Sequence, residues 1–132
     1  MSWSDPVPLG CDRGDPIESG SNGSAFFRHR KSGKILWIGN LCMDGDRPNG
    51  NWPRSPLAIV EVQEEPLALK RDTITVIDRR GPADSERVQM SNFRYYEDRE
   101  NGDVVVFCSR FGERSAESWK LADYYRYRVR IG

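Results

Sequence analysis

Apolar and polar positions recur along this chain in two matching stretches. Residues 21–40 read SNGSAFFRHRKSGKILWIGN, and about 70 residues later 91–110 read SNFRYYEDRENGDVVVFCSR. Each stretch opens on Ser-Asn, runs through aromatics and charges to a glycine turn, and leaves in an apolar run. Ser24 to Arg30 alternates partly, and Lys34 to Leu41 is apolar on both faces, as a central strand is. Pro56 to Glu65 is rich in strand formers, and Asp72 to Arg80 sets Ile74 and Val76 against Thr73 and Thr75. Phe93 to Arg99 and Asp103 to Arg110 form the second pair of runs. In Asp123 to Gly132, Tyr125, Tyr127, Val129 and Ile131 alternate with Arg126, Arg128 and Arg130.

Gly33 and Gly102 lie between runs of strand type and predict hairpins. Asn101-Gly102 predicts a type I′ turn, which needs φ > 0 at both central residues. The one helix-compatible window, 113–125, has no cap at its far end and reads as a loop with at most one turn. Each unit is then a hairpin, a long polar loop and a third strand, with a fourth strand in the first unit. The expected fold is all-β: one domain over residues 1–132, built of antiparallel four-stranded blades of a β-propeller. About 21–80 form one blade-like unit and about 88–132 a second, with 1–9 as a strand of a neighbouring blade. About two blades cannot close a ring of four to eight, so the ring is partial or completed by oligomerisation.

Composition narrows the function classes. The chain has 132 residues, 37% hydrophobic and 30% charged, with a mean hydropathy of −0.71, which fits a folded soluble domain. Twenty basic residues balance twenty acidic ones, so nothing predicts nucleic acid as a partner. Arginine outnumbers lysine 16 to 4; GC-rich coding and anion recognition both account for that. Cys11, Cys42 and Cys108 are far apart and, with the single His29, make a poor metal set. Free thiols are expected, and no metal or other cofactor. No apolar run approaches a membrane span, and no signal-peptide pattern opens the sequence, so the cytoplasm is the default expectation.

Ser2, Trp3, Ser4 and Pro6 in SWSDPVPLG resemble the strand that follows an Asp-box turn in sialidase-like (neuraminidase-like, BNR-repeat) β-propellers. GNL at 39–41 and the stretch from RSPLAIVEV to VVVFCSR at 54–110 resemble the last blades of bacterial sialidase-like proteins of glycoside-hydrolase type. The resemblance implies radially arranged four-stranded sheets and a carbohydrate-directed site at the central axis. It also implies an Arg triad, an acid/base Asp and a Tyr–Glu nucleophile in active members. This chain shows no complete Asp box, no Phe-Arg-Ile-Pro motif and no nucleophile signature, so no catalytic residue is assigned.

In such a propeller the innermost strand starts each blade and its leading loop faces the pocket. That makes Asn22 and Asn92, at matching repeat positions, candidate sugar-binding amides. The alternative is that each closes its own turn through an Asx bond. Arg54 beside Trp52 is a candidate carboxylate- or sugar-binding corner, or else a solvated loop arginine. Arg110 with Glu113 reads as an oriented acid or as a surface ion pair. Asp78, Asp84 and Glu86, with Arg79 and Arg80, supply carboxylates at the spacing a glycosidase needs, as any acidic loop does. Tyr124, Tyr125 and Tyr127 read as sheet packing.

Three functional readings follow. The first is a partial sialidase-like propeller, related to glycoside hydrolases, that does not hydrolyse sugars alone. The second is a non-catalytic carbohydrate-binding or structural module that self-associates into a ring. The third is a self-contained β-sandwich without a ligand, in which the Trp3 segment packs on the last strand.

Overall fold

The computed structural model describes all of residues 1–132 except 21, 44, 116 and 118–120. The strands in chain order are β1 (Gly10–Cys11), β2 (Ala25–Arg28), β3 (Ile35–Asn40), β4 (Leu57–Gln63), β5 (Ala68–Leu69), β6 (Thr75–Asp78), β7 (Gln89–Glu97), β8 (Val104–Phe111) and β9 (Tyr124–Val129). A single 3-10 turn, Arg71–Thr73, leads into β6. The chain is all-β, and every strand pair is antiparallel except the short parallel contact of β1 with β5.

The first sheet runs β1-β5-β4-β3-β2, with β6 alongside β4. Within it, β2, β3, β4 and β6 form a four-stranded antiparallel run. The second sheet has three strands, β7-β8-β9. Both faces of the first sheet are apolar. Leu36, Ile38, Leu57 and Ile59 point one way and meet Met90, Val104, Val106 and Cys108 of the second sheet. Trp37, Ala58, Val60 and Val62 point the other way and are covered by Leu9, Cys11 and Ile17, among others. This double burial is why Lys34 to Leu41 lacks a polar face. A stacked pair, Phe27 and Tyr95 with centroids 4.5 Å apart, crosses between the sheets.

Two buried polar side chains pin the sheets together. At one end, Asn40 donates from Nδ2 to the carbonyls of Pro56 (3.2 Å) and Met90 (3.0 Å). At the other, His29 is fully buried and its Nε2 lies 2.6 Å from the carbonyl of Gly102. The Ser32 amide donates to His29 Nδ1, which leaves Nε2 as the protonated donor. The two matching hairpin turns therefore touch, and Lys31 adds a bond to the Asn101 carbonyl.

These turns are not the type I′ turn expected from Asn101-Gly102. Gly33 donates to the His29 carbonyl and Gly102 to the Asp98 carbonyl, each at 2.8 Å, so each loop holds one helical turn. Only the glycines, at φ 73° and 78°, lie in the left-handed region; Asn101 does not. Asp98 accepts from the Glu100 amide and Asn101 from the Asp103 amide, and these side-chain bonds favour the wider loop.

Residues 1–9, expected as a strand of a neighbouring blade, pair with no strand of this chain; the first strand is Gly10–Cys11. Trp3 is 93% exposed and does not pack on β9, as the self-contained sandwich required. Pro6 and Pro8 lack the amide protons that a strand partner would need. The helix-compatible window 113–125 includes 116 and 118–120, which lie outside the described residues. Among the described residues no helix is long and apolar enough to cross a membrane.

Gly39 has a steric role. A Cβ at that position would overlap the Trp37 indole, which lies across it. Gly39→Ala is expected to cost about 1–3 kcal/mol through overpacking, read as a lower urea midpoint with an unchanged slope. An unaltered midpoint would show that the indole moves aside freely.

Candidate functional site

A cavity of about 410 Å³ opens where the end of β3 and the start of β7 meet the segments before β2 and β4. Asn22 and Ser24 reach it from the segment before β2, Asn40 from the end of β3, Arg54 from the loop before β4, and Ser91, Asn92 and Arg94 from β7. Three of the four expected binding residues, Asn22, Arg54 and Asn92, thus line one pocket. Arg110 is not among them.

Local backbone structure places each group. In β7, Ser91 pairs with Ser109 but Arg94 with Phe107, so Asn92 and Phe93 stand opposite the single residue Cys108. This is a β-bulge, and Asn92 occupies it at φ 55°, the only non-glycine among the described residues with positive φ. Asparagine tolerates this region better than most residues. Arg54 is anchored through its backbone, since its carbonyl accepts from the Met90 amide at 2.8 Å. Its side chain donates to the Asn51 carbonyl (3.2 Å) and to Ser91 Oγ (3.0 Å).

Among the described residues Arg54 pairs with no carboxylate, and neither does Arg94, whose one hydrogen bond is to its neighbour Phe93. Both amide atoms of Asn22 are buried without a partner among the described residues. Neither Asn22 nor Asn92 makes a side-chain Asx bond there. Trp52 is not among the residues lining the pocket. None of the lining residues is a carboxylate, histidine or cysteine. Cys108 lies beneath, donating to the Ser91 carbonyl, and burial pushes its thiol up to about 12, which keeps it protonated at neutral pH.

Arg110 is a structural tie instead. Its guanidinium bonds Asp78 at 3.1 Å, Asp84 at 2.6 and 3.1 Å, and the Arg79 carbonyl at 3.0 Å. The side chains of Arg110, Asp78 and Asp84 are 16–20% exposed. Tyr127 donates to Asp78 at 2.6 Å, and burial together with this bond raises its hydroxyl above the ordinary value. Glu113 turns away from Arg110 to accept from the Asp123 amide and the Tyr125 hydroxyl. Two of the three carboxylates of the 78–86 loop, Asp78 and Asp84, thus hold that loop to β8 and β9. This partnership joins residues 32 and 26 positions apart, and no local spacing signals it. Arg94 was missed too, because its place in the pocket depends on the bulge.

Among the described residues no group of three or more His, Cys, Asp or Glu could hold a metal ion. No family model, curated protein or solved structure matches the chain.

Arg110 and the Gly81 amide hold the Asp84 carboxyl below the usual carboxylate range. A carboxyl depressed in this way stabilises the fold above its unfolded pKa of roughly 4 and loses that contribution as pH falls through the folded value. Arg110→Ala is therefore expected to cost about 1–3 kcal/mol at neutral pH, with the gap to the parent narrowing below roughly pH 4. Urea unfolding across the acid range checks this, and a gap independent of pH would contradict it.

Proposed function

We propose that this chain is a carbohydrate-binding module of sialidase-like architecture, two blade-like sheets of a propeller, which holds an acidic sugar and does not hydrolyse it alone. The observation that carries the reading is the pairing, in one pocket, of an unpartnered buried amide at Asn22 with a guanidinium at Arg54 that has no carboxylate partner. A buried polar group without a partner is costly, so such groups are normally met by water or ligand. Arg54 offers a fork for a carboxylate, and Asn22, Asn92 and Ser24 offer donors and acceptors for hydroxyls. The four-stranded antiparallel run β2-β3-β4-β6 supports the blade reading. No carboxylate, the group a glycosidase uses in pairs, is among the described lining residues, and this supports binding over hydrolysis.

Galacturonate and N-acetylneuraminate are expected to bind, and galactose to bind far more weakly, by titration calorimetry. Arg54→Ala should weaken the acidic sugars about 10- to 100-fold while thermal unfolding confirms a folded protein. Unchanged affinity in that variant, or equal binding of galactose, sinks the reading. Turnover of a fluorogenic sialoside above blank would refute the absence of stand-alone hydrolysis.

A second reading, assembly with other copies into a closed ring, is favoured by one observation. Among the described residues the second sheet is one strand short of the first sheet's four-stranded run, and β9 pairs only with β8. Open edges of this kind invite pairing. Light scattering is expected to give a discrete multimer under this reading, and a concentration-independent monomer would exclude it.

A further inference from the structure

The outward face of the second sheet carries a second set of chemistry. Tyr96 on β7, Phe107 on β8 and Tyr124 on β9 form a diagonal ladder across all three strands. Their centroids are 6.1 and 6.0 Å apart, with interplanar angles of 25° and 17°. Tyr96 is 49% exposed and Tyr124 59%, far from the burial such rings usually reach. In register with Phe107 stand Arg94 on one side and Arg126 on the other, both exposed. Neither has a carboxylate partner among the described residues, whereas Arg128, next along the face, is held by Asp98 and Asp103. Arg94 is also among the residues that line the pocket, so the two features share this residue.

We propose that the pocket and this face together bind an acidic oligosaccharide, a chain with a carboxylate on successive sugars, rather than a single sugar. This rests on the pocket reading above. One terminal unit sits at Arg54, and the chain leaves past Arg94 across the rings of Phe107, Tyr124 and Tyr96. Pyranose rings present C–H bonds of partial positive charge to the negative face of an aromatic ring. Arg94 and Arg126 flank that track and meet the carboxylates. Charge selects this occupant over a second copy of the chain. A second copy docking through the same face would bring unpaired arginines against unpaired arginines. Single-stranded nucleic acid would also find stacking rings and cations, and competition by an oligothymidylate separates it from the acidic sugar chain.

The test is calorimetry on the full chain with galacturonic acid and with its hexamer. The hexamer is expected to bind at least about tenfold tighter. The paired change Tyr96→Ala and Tyr124→Ala should remove that gain and leave the affinity for the single sugar unchanged. Arg126→Ala should reduce the gain and its dependence on salt. Single-sugar binding without a gain for the hexamer, or a gain that persists in both variants, overturns this inference alone. Binding of neither overturns it together with the pocket reading. Stronger competition by an oligothymidylate, or a multimer that shields Tyr96 and Tyr124 from solvent, also overturns it.

Discussion

The second sheet has three strands, and a sheet so small stands only when its apolar face is covered. Its inner residues Met90, Val104, Val106 and Cys108 are covered by Leu36, Ile38, Leu57 and Ile59 of the first sheet. Everything else is arranged around that contact. Apolar packing is not directional, so it presses the sheets together without fixing how they align. The alignment comes from Asn40 at one end and His29 at the other, whose hydrogen bonds cross the interface at defined atoms. A shift of the sheets along each other would strip Asn40 and His29 of their cross-sheet partners while both stay buried, which is costly in a dry interior.

The pocket follows from the same alignment. Asn40 holds the end of β3 against the Met90 carbonyl, and the Arg54 carbonyl holds the Met90 amide from the next loop. Arg54, Asn22 and Asn92 belong to three separate segments, yet they face one space because these bonds bring the segments together. Arg54 and Asn22 are half-buried and Asn92 is exposed, while Asn40 and Met90, which place them, are buried. Holding the segments together and lining the pocket are thus tasks of different residues.

Much of the architecture was legible in the residue pattern. The longer strands, the two hairpins and the doubly apolar β3 follow from alternation and turn residues, which act locally. The matching Asn22 and Asn92 pointed toward one pocket because the repeat placed them equivalently. What the pattern did not carry is long-range or irregular. The two-residue strands β1 and β5 are too short to show alternation. The tie from Arg110 to Asp78 and Asp84 is made by chain segments that meet only in the fold. The turn at Asn101-Gly102 took a wider form because side chains of Asp98 and Asn101 captured its amides. At the N-terminus an apparent strand pattern met no partner edge, and alternation without a partner leaves backbone donors to solvent.

The bulge at Asn92 makes the pocket sensitive to chain length in a way that substitution scanning would overlook. Side chains along a strand alternate between faces, so the one additional residue opposite Cys108 resets which face each neighbour occupies. Removing a single residue there would restore regular pairing at little backbone cost. It would leave Met90 opposite Arg110 and Ser91 opposite Ser109, each on its present face, and would take away only the side chain that the bulge adds to the pocket. Between otherwise similar chains, a one-residue gap at this point would separate those that keep this side chain in the pocket from those that keep only the fold.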